Sequence, residues 1–340
     1  MPSLQTLEQN EMRKVLSITF KVILPLLFGG AILYWMYRNF DFQKIDTVLW
    51  HEMDWTWMIL SFPFCILAQA FRAIRWRQTL APVGEHPRLS SCINAIFVSY
   101  AASLVVPRVG EFTRCGILKR QDGVSFSKAL GTVVTERAVD MLIMLLMTGV
   151  ALVVQMPVLN NFFSTTGTRL DSIFDRFTTT GYLVTALCAL AALVLVFILV
   201  RKLTIYNKVK DVLHSLWQGV ASLRHIQGVT LYLFYSLAIW VCYFLHYYLT
   251  FFCFDATAHL SLGCAFASFV VGSIAVIVPT PNGAGPWHFA VKSMLIIYGV
   301  QSDAALYFVL IVHTVQTLLL IVMGIWGWAA LSMSKVKVKK

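Results

Sequence analysis

The chain has 340 residues, 58% of them hydrophobic and 13% charged, with a formal net charge of +11. Soluble domains run nearer half apolar and about a quarter charged, so the composition excludes an ordinary soluble globular protein and points to a polytopic membrane protein. A basic balance would also suit nucleic acid, but here the Lys and Arg residues stand in short clusters between apolar runs, as topology signals do.

The first apolar run, Ile18 to Tyr37, is long enough to span and is followed by no small-residue cleavage site, which predicts a retained helix rather than a signal peptide. Further spans are predicted near 56–74, 129–155, 181–200, 229–253 and 304–331. Two shorter apolar stretches, 92–107 and 262–279, run into LVVPRVGEFTR (Leu104–Arg114) and IVPTPNGAGPWHF (Ile277–Phe289). Cys92 to Pro107 covers only about 24 Å as a helix, short of a hydrocarbon core of about 30 Å. Pro107, Gly110, Pro281, Gly283 and Gly285 are the helix-breaking residues of these motifs. Such backbone is tolerated at membrane depth only where protein or a polar cavity satisfies it.

With the N-terminus cytoplasmic and both broken stretches re-entrant, the cytoplasmic segments hold twenty basic residues. The opposite face keeps five: Arg38, Lys44, Arg169, Arg176 and Lys292. Two full crossings would instead place the basic segments 72–90 and 108–128 on opposite faces, against the positive-inside rule. The expected fold is a single all-α membrane domain over 1–340 with eight hydrophobic segments and cytoplasmic termini. It is an inverted-topology repeat, 18–155 and 181–331, each half having three spanning helices and one re-entrant helical hairpin. Residues 201–228 read as a basic amphipathic connector on the inner surface.

At FRAIRWRQTL (Phe71–Leu80), PRVGEFTR (Pro107–Arg114), TERAVDML (Thr135–Leu142) and PTPNGAGPWHF (Pro279–Phe289) the chain resembles the lysylphosphatidylglycerol synthase transmembrane region, the flippase-like half of bacterial multiple-peptide-resistance proteins. The resemblance covers about residues 18–331. It implies lipid translocation in the bacterial inner membrane, and not lipid aminoacylation, since no aminoacyl-transferase domain is in the sequence. Relatives often carry glycine where Asn282 stands and an acidic residue where His288 stands.

Several side chains are candidates for handling a lipid headgroup. Arg108 and Arg114 flank the first break, where forked guanidinium groups suit a phosphate; snorkelling to the interface is the alternative. Arg137 joins them as a phosphate candidate. Glu111, Glu136 and Asp140 are the intramembrane acids, serving as proton carriers or as ion-pair partners, with a Glu111–Arg137 pair one option. Asn282, Trp287 and His288 form the expected outer gate, with His288 either titrating near neutrality or satisfied in a cavity. His246 and His313 read as interior hydrogen-bonding residues, with lining the path as the alternative. Arg72 and Arg75 share a helix face and are candidates for anionic headgroups at the cytoplasmic leaflet, unless they act only as topology signals.

The expected partner is an anionic phospholipid or a polyprenyl-phosphate-linked lipid, with a separately encoded lipid-modifying enzyme as a further partner and no nucleic acid. A membrane glycosyltransferase using a polyprenyl-phosphate sugar is the competing function, with Asp41, Asp46, Glu52 and Asp54 as its acidic candidates. A non-transporting protein that presents lipid to an enzyme is a third. No cofactor or metal is expected: the seven cysteines form no CxxC pair, and HExxH, GxSxG and P-loop motifs are missing from the sequence.

Overall fold

The computed structural model describes residues 23–24, 26–165 and 228–334, with side chains in the first long segment described through residue 155. The predicted span 181–200, the connector 201–228 and Cys188 lie outside the described residues. Among the described residues the fold is entirely helical, with no strand. The main helices are α1 (Leu26–Tyr37), α2 (Trp55–Leu80), α3 (Leu89–Val105), α4 (Val109–Asp122), α5 (Phe126–Thr165), α6 (Val229–Leu249), α7 (Leu262–Ala275), α8 (Pro286–Ile297) and α9 (Ser302–Met333). α2, α5, α6 and α9 are long and apolar enough to cross a membrane. Their outer faces expose residues such as Leu145, Leu146, Phe234 and Trp326, the lipid-facing apolar surface that a spanning helix needs. The chain is a multi-pass membrane protein.

α2 outlasts its predicted end because Arg72, Arg75 and Arg77 continue the helix. Arg is a good helix former, and the chain stops only at the Pro82–Gly84 turn. The short stretches run as predicted to their breaks. α3 ends at Val105 before Pro107, and α7 ends at Ala275 before the Pro279–Gly285 motif.

The chain divides into two compact units, residues 1–133 with 225–340, and residues 134–224. In the first unit, α2 packs along α6 and α3, α3 packs along α4 and α9, and α7 packs along α6 and α8. Two helical hairpins result. In the first, α4 folds back on α3 so closely that Gly110 lies against the Ser99 carbonyl, and Ser103 Oγ accepts the Gly110 N–H at 3.2 Å. The open end is tied by Arg88, which precedes α3: its Nε donates to Asp122 Oδ1 at 2.6 Å and its backbone N–H to Oδ2 at 3.2 Å. In the second hairpin, Trp287 and Val291 of α8 pack over Gly272 of α7. α9 crosses α3 at Gly324 and Gly327, which meet Ala101, Phe97 and the Asn94 carbonyl. In the second unit, the described part of α5 buries Glu136 and Asp140.

Six described cysteines (Cys65, Cys92, Cys115, Cys242, Cys253 and Cys264) are buried thiols, as their apolar settings predict. Among the described residues no cluster could hold a metal ion.

Candidate functional site

The two breaks come together. Among the described residues, the non-glycine residues with left-handed backbone are Arg108 (φ 65°) at the tip of the first hairpin and Asn282 (φ 50°) at the tip of the second. A short polar side chain tolerates this region at modest cost, whereas a long one such as Arg is strained there by about 1–2 kcal/mol. Strained backbone that persists is a pointer to function. Glycine adopts this geometry without strain, so position 282 would accept it.

Arg108 is exposed, and its Nη2 donates to the Ile277 carbonyl at 3.2 Å, joining one tip to the other. Ile277 lies just beyond the end of α7, where helical carbonyls lack intrahelical partners. Leu104 of α3, Pro281, Asn282 and Ala284 of the second tip, and His313, Thr314, Thr317 and Leu318 of α9 line a cavity of about 270 Å³. Asn282 Nδ2 donates to Thr317 Oγ1 at 2.9 Å, and His313 Nε2 lies 3.1 Å from the Asn282 carbonyl. The lining thus offers amide, imidazole and hydroxyl groups but no carboxylate.

Behind this tip His288 is buried, with its Nδ1 accepting the Gly285 N–H at 3.4 Å. Its ring centroid is 4.4 Å from that of His313, and Trp287 lies beside both. Gly29 of α1 presses on Thr280, Ala284 and Gly285, so α1 backs the second tip. Thr280 Oγ1 and Tyr37 OH are buried there with no hydrogen-bond partner among the described residues, so the tip keeps polar capacity that those residues do not use.

Arg114, Glu111, Arg72, Arg75 and His246 do not line this cavity, though the Glu111 N–H bonds the Arg108 carbonyl at 3.4 Å. Arg114 is buried and stacks over Trp76 at 4.4 Å, while Trp76 Nε1 donates to Thr132. Glu111 is half-buried in the first turn of α4. In the second unit, Arg137 Nη1 sits 3.8 Å from Asp140 Oδ2, one turn along α5, and Glu136 is buried beside them in sequence. Arg72 and Arg75 are interior rather than superficial, 5% and 0% exposed. Arg72 lies between the rings of Tyr100 and Tyr243, whose hydroxyls are 3.0 Å apart. Arg75 donates to Ser236 Oγ at 3.2 Å and faces Tyr232. His246 is interior and hydrogen-bonded to the Ser61 carbonyl at 3.0 Å.

Of the acidic residues raised for an enzyme, two serve local structure: Asp41 accepts the Gln43 N–H and Asp54 the Thr56 N–H. Glu52 lines a second cavity of about 470 Å³ with Lys44, Thr47 and Tyr307. Thr314, Thr317 and the two tyrosines around Arg72 were not singled out from the sequence. His313, Thr314 and Thr317 do share one face of an apolar helix, a signal that helical spacing carries. Nothing local marks Tyr100 and Tyr243, which meet only through the fold.

No solved structure matches the chain. It is similar to Glycosyltransferase AglD of Haloferax volcanii, 24% identical over 151 residues, which are 44% of this chain and 24% of that protein. The family model of the lysylphosphatidylglycerol synthase transmembrane region matches residues 22–324. The chain belongs to the lysylphosphatidylglycerol synthase transmembrane region family.

Proposed function

We propose that the protein moves a phosphate-bearing lipid, an anionic phospholipid or a polyprenyl-phosphate-linked lipid, between the leaflets of the cytoplasmic membrane. The observation that carries this reading is the meeting of two broken hairpins, Arg108 against Ile277, with a cavity at the second tip whose largely apolar lining carries Asn282, His313, Thr314 and Thr317. The headgroup passes between the tips while its tails stay in lipid.

The hairpins are re-entrant elements that enter from opposite faces and belong to inverted repeats at 18–155 and 181–331. Three features support this. Arg88 and Asp122 tie both ends of the first hairpin together. The tips meet. And α4 and α7, of 14 residues each, laid end to end span about 42 Å, close to the roughly 40–45 Å of a bilayer with its headgroup regions. The termini and the 201–228 connector then face the cytoplasm, as the basic residues require.

Within this reading Arg108 is the phosphate contact, with Asn282, His313, Thr314 and Thr317 supplying neutral hydrogen bonds. Arg114, Arg72 and Arg75 hold their helices together through aromatic stacking, and the Arg137–Asp140 pair neutralises charge along α5. The similarity to a glycosyltransferase favours a second reading, in which the lipid is a polyprenyl-phosphate sugar handed to, or used by, a transferase.

The test is reconstitution in liposomes with labelled phosphatidylglycerol, phosphatidylcholine and polyprenyl phosphate. The account expects faster translocation of at least one anionic lipid than in protein-free vesicles. No acceleration across the panel would overturn it, and transfer of a labelled sugar by the purified protein would favour the second reading.

A further inference from the structure

We propose that Arg108 is a latch that a lipid phosphate displaces: the headgroup takes the guanidinium away from the Ile277 carbonyl, and the two hairpin tips part as a consequence of binding. The inference rests on the lipid-transport reading and adds to it how the site is regulated. Arg108 Nη2 makes one hydrogen bond across the tips, at 3.2 Å, to a neutral backbone oxygen. A phosphate is the better partner, because charge-assisted bonds are about twice as strong as neutral ones and phosphate oxygens match the guanidinium fork in pairs. The exposed position of Arg108 leaves the group open to exchange.

The surroundings favour the exchange. The cavity at the second tip carries Asn282, His313, Thr314 and Thr317 in a largely apolar lining with no carboxylate, so no anion there opposes an arriving phosphate, and the threonine hydroxyls can turn to donate to it. Glu111, half-buried one turn into α4, is the carboxylate closest in sequence; its N–H bonds the Arg108 carbonyl at 3.4 Å. Arg108 reaches Ile277 from a left-handed backbone position at the tip, the kind of strained conformation that marks functional segments. By linkage, whatever loosens the tips also strengthens phosphate binding by the same factor. The bond to Ile277 holds the tips together until a phosphate takes the guanidinium from it.

The test uses the full chain with Val105→Cys and Ile277→Cys, both exposed positions of the two tips; the second leaves the accepting carbonyl in place. Joining by a short, reducible bis-thiosulfonate is followed in dodecyl maltoside, which contains no phosphate, against the same protein without the introduced cysteines. Short-chain phosphatidylglycerol, inorganic phosphate and the matching diacylglycerol are added separately. Phosphatidylglycerol is expected to slow joining about tenfold, on the order of one charged hydrogen bond, with no effect of diacylglycerol. Slowing by inorganic phosphate as well would assign recognition to the phosphate group alone; slowing only by the lipid would assign it to the whole headgroup.

Arg108→Gln should join slowly from the start and ignore every additive. Arg108→Lys, which keeps the charge without the fork, should respond at roughly tenfold higher lipid. Insensitivity of the unsubstituted Arg108 protein, equal slowing by diacylglycerol, or a lysine or glutamine variant that responds as Arg108 does would overturn the latch. Lipid translocation with joining that neither phosphatidylglycerol nor inorganic phosphate slows would remove the latch and leave the transport reading standing. Phosphate-sensitive joining with no translocation would do the reverse.

Discussion

Gly110→Ala perturbs the first hairpin at its tightest point. An added methyl carbon would lie 2.0 Å from the Ser99 carbonyl oxygen, where ordinary contact begins near 3.4 Å, so α4 must retreat from α3 by roughly 1.4 Å along that line. The Ser99 oxygen is backbone within α3 and cannot swing aside. Ser103 Oγ, 2.4 Å from the new methyl, also loses its bond to the Gly110 N–H. Overpacking of this kind costs about 1–3 kcal/mol, and the lost hydrogen bond adds about 1 kcal/mol. Alanine's better helix propensity returns up to about 1 kcal/mol, leaving a net loss of about 1–3 kcal/mol. Gly116 is the internal control: it lies in the same helix with nothing within 4 Å of an added Cβ, so Gly116→Ala should gain about 0.5–1 kcal/mol. Thermal unfolding in detergent at one fixed heating rate, read by size-exclusion chromatography, should place the Gly110 variant several degrees below the native chain and the Gly116 variant at or above it. Equal transitions, or the reverse ranking, would refute the close α3–α4 packing.

At the α9–α3 crossing, Gly324→Ala brings a methyl 2.3 Å from Ala101 Cβ and should lose about 1–3 kcal/mol in the same assay; an unchanged transition would contradict the crossing. Asp122→Asn removes the charge facing the partly exposed Arg88 and should cost about 1–3 kcal/mol, seen as a lowered transition and easier proteolysis at the hairpin base. Asn282→Gly relieves the left-handed backbone by about 1 kcal/mol and forfeits the Thr317 bond at a similar cost, so its transition should stay near native. Asn282→Val keeps the strain and loses the bond, and should fall by about 2–3 kcal/mol; a valine variant as stable as the glycine one would refute the tip geometry.

Much of this architecture was legible because lipid imposes strong rules on sequence. A run of about 20 apolar residues reads as a span, and the Pro and Gly residues of the two motifs mark the places where helix cannot continue. Those rules located α2, α5, α6 and α9, and the ends of α3 and α7. Composition did not reveal that Arg108 and Asn282 share a backbone conformation, or that their tips touch, since a contact across 169 residues has no local signature. Arg72 and Arg75 show the same limit. Their spacing announced a cationic face, but whether that face meets water or the rings of Tyr100 and Tyr243 depends on how α2 docks on α3 and α6. His288 read by residue type either as a titratable gate or as a histidine satisfied in a cavity; its burial against His313 and its bond to Gly285 are products of the turn.

The central claim is that lipid passes where the two hairpin tips meet. It is tested most directly by translocation of fluorescent phosphatidylglycerol and polyprenyl phosphate in vesicles, followed by albumin back-extraction, with the Val105→Cys/Ile277→Cys protein joined by the reducible bis-thiosulfonate. The joined protein should lose translocation and regain it when the link is reduced. Translocation at the unjoined rate while the tips are held together would contradict the claim.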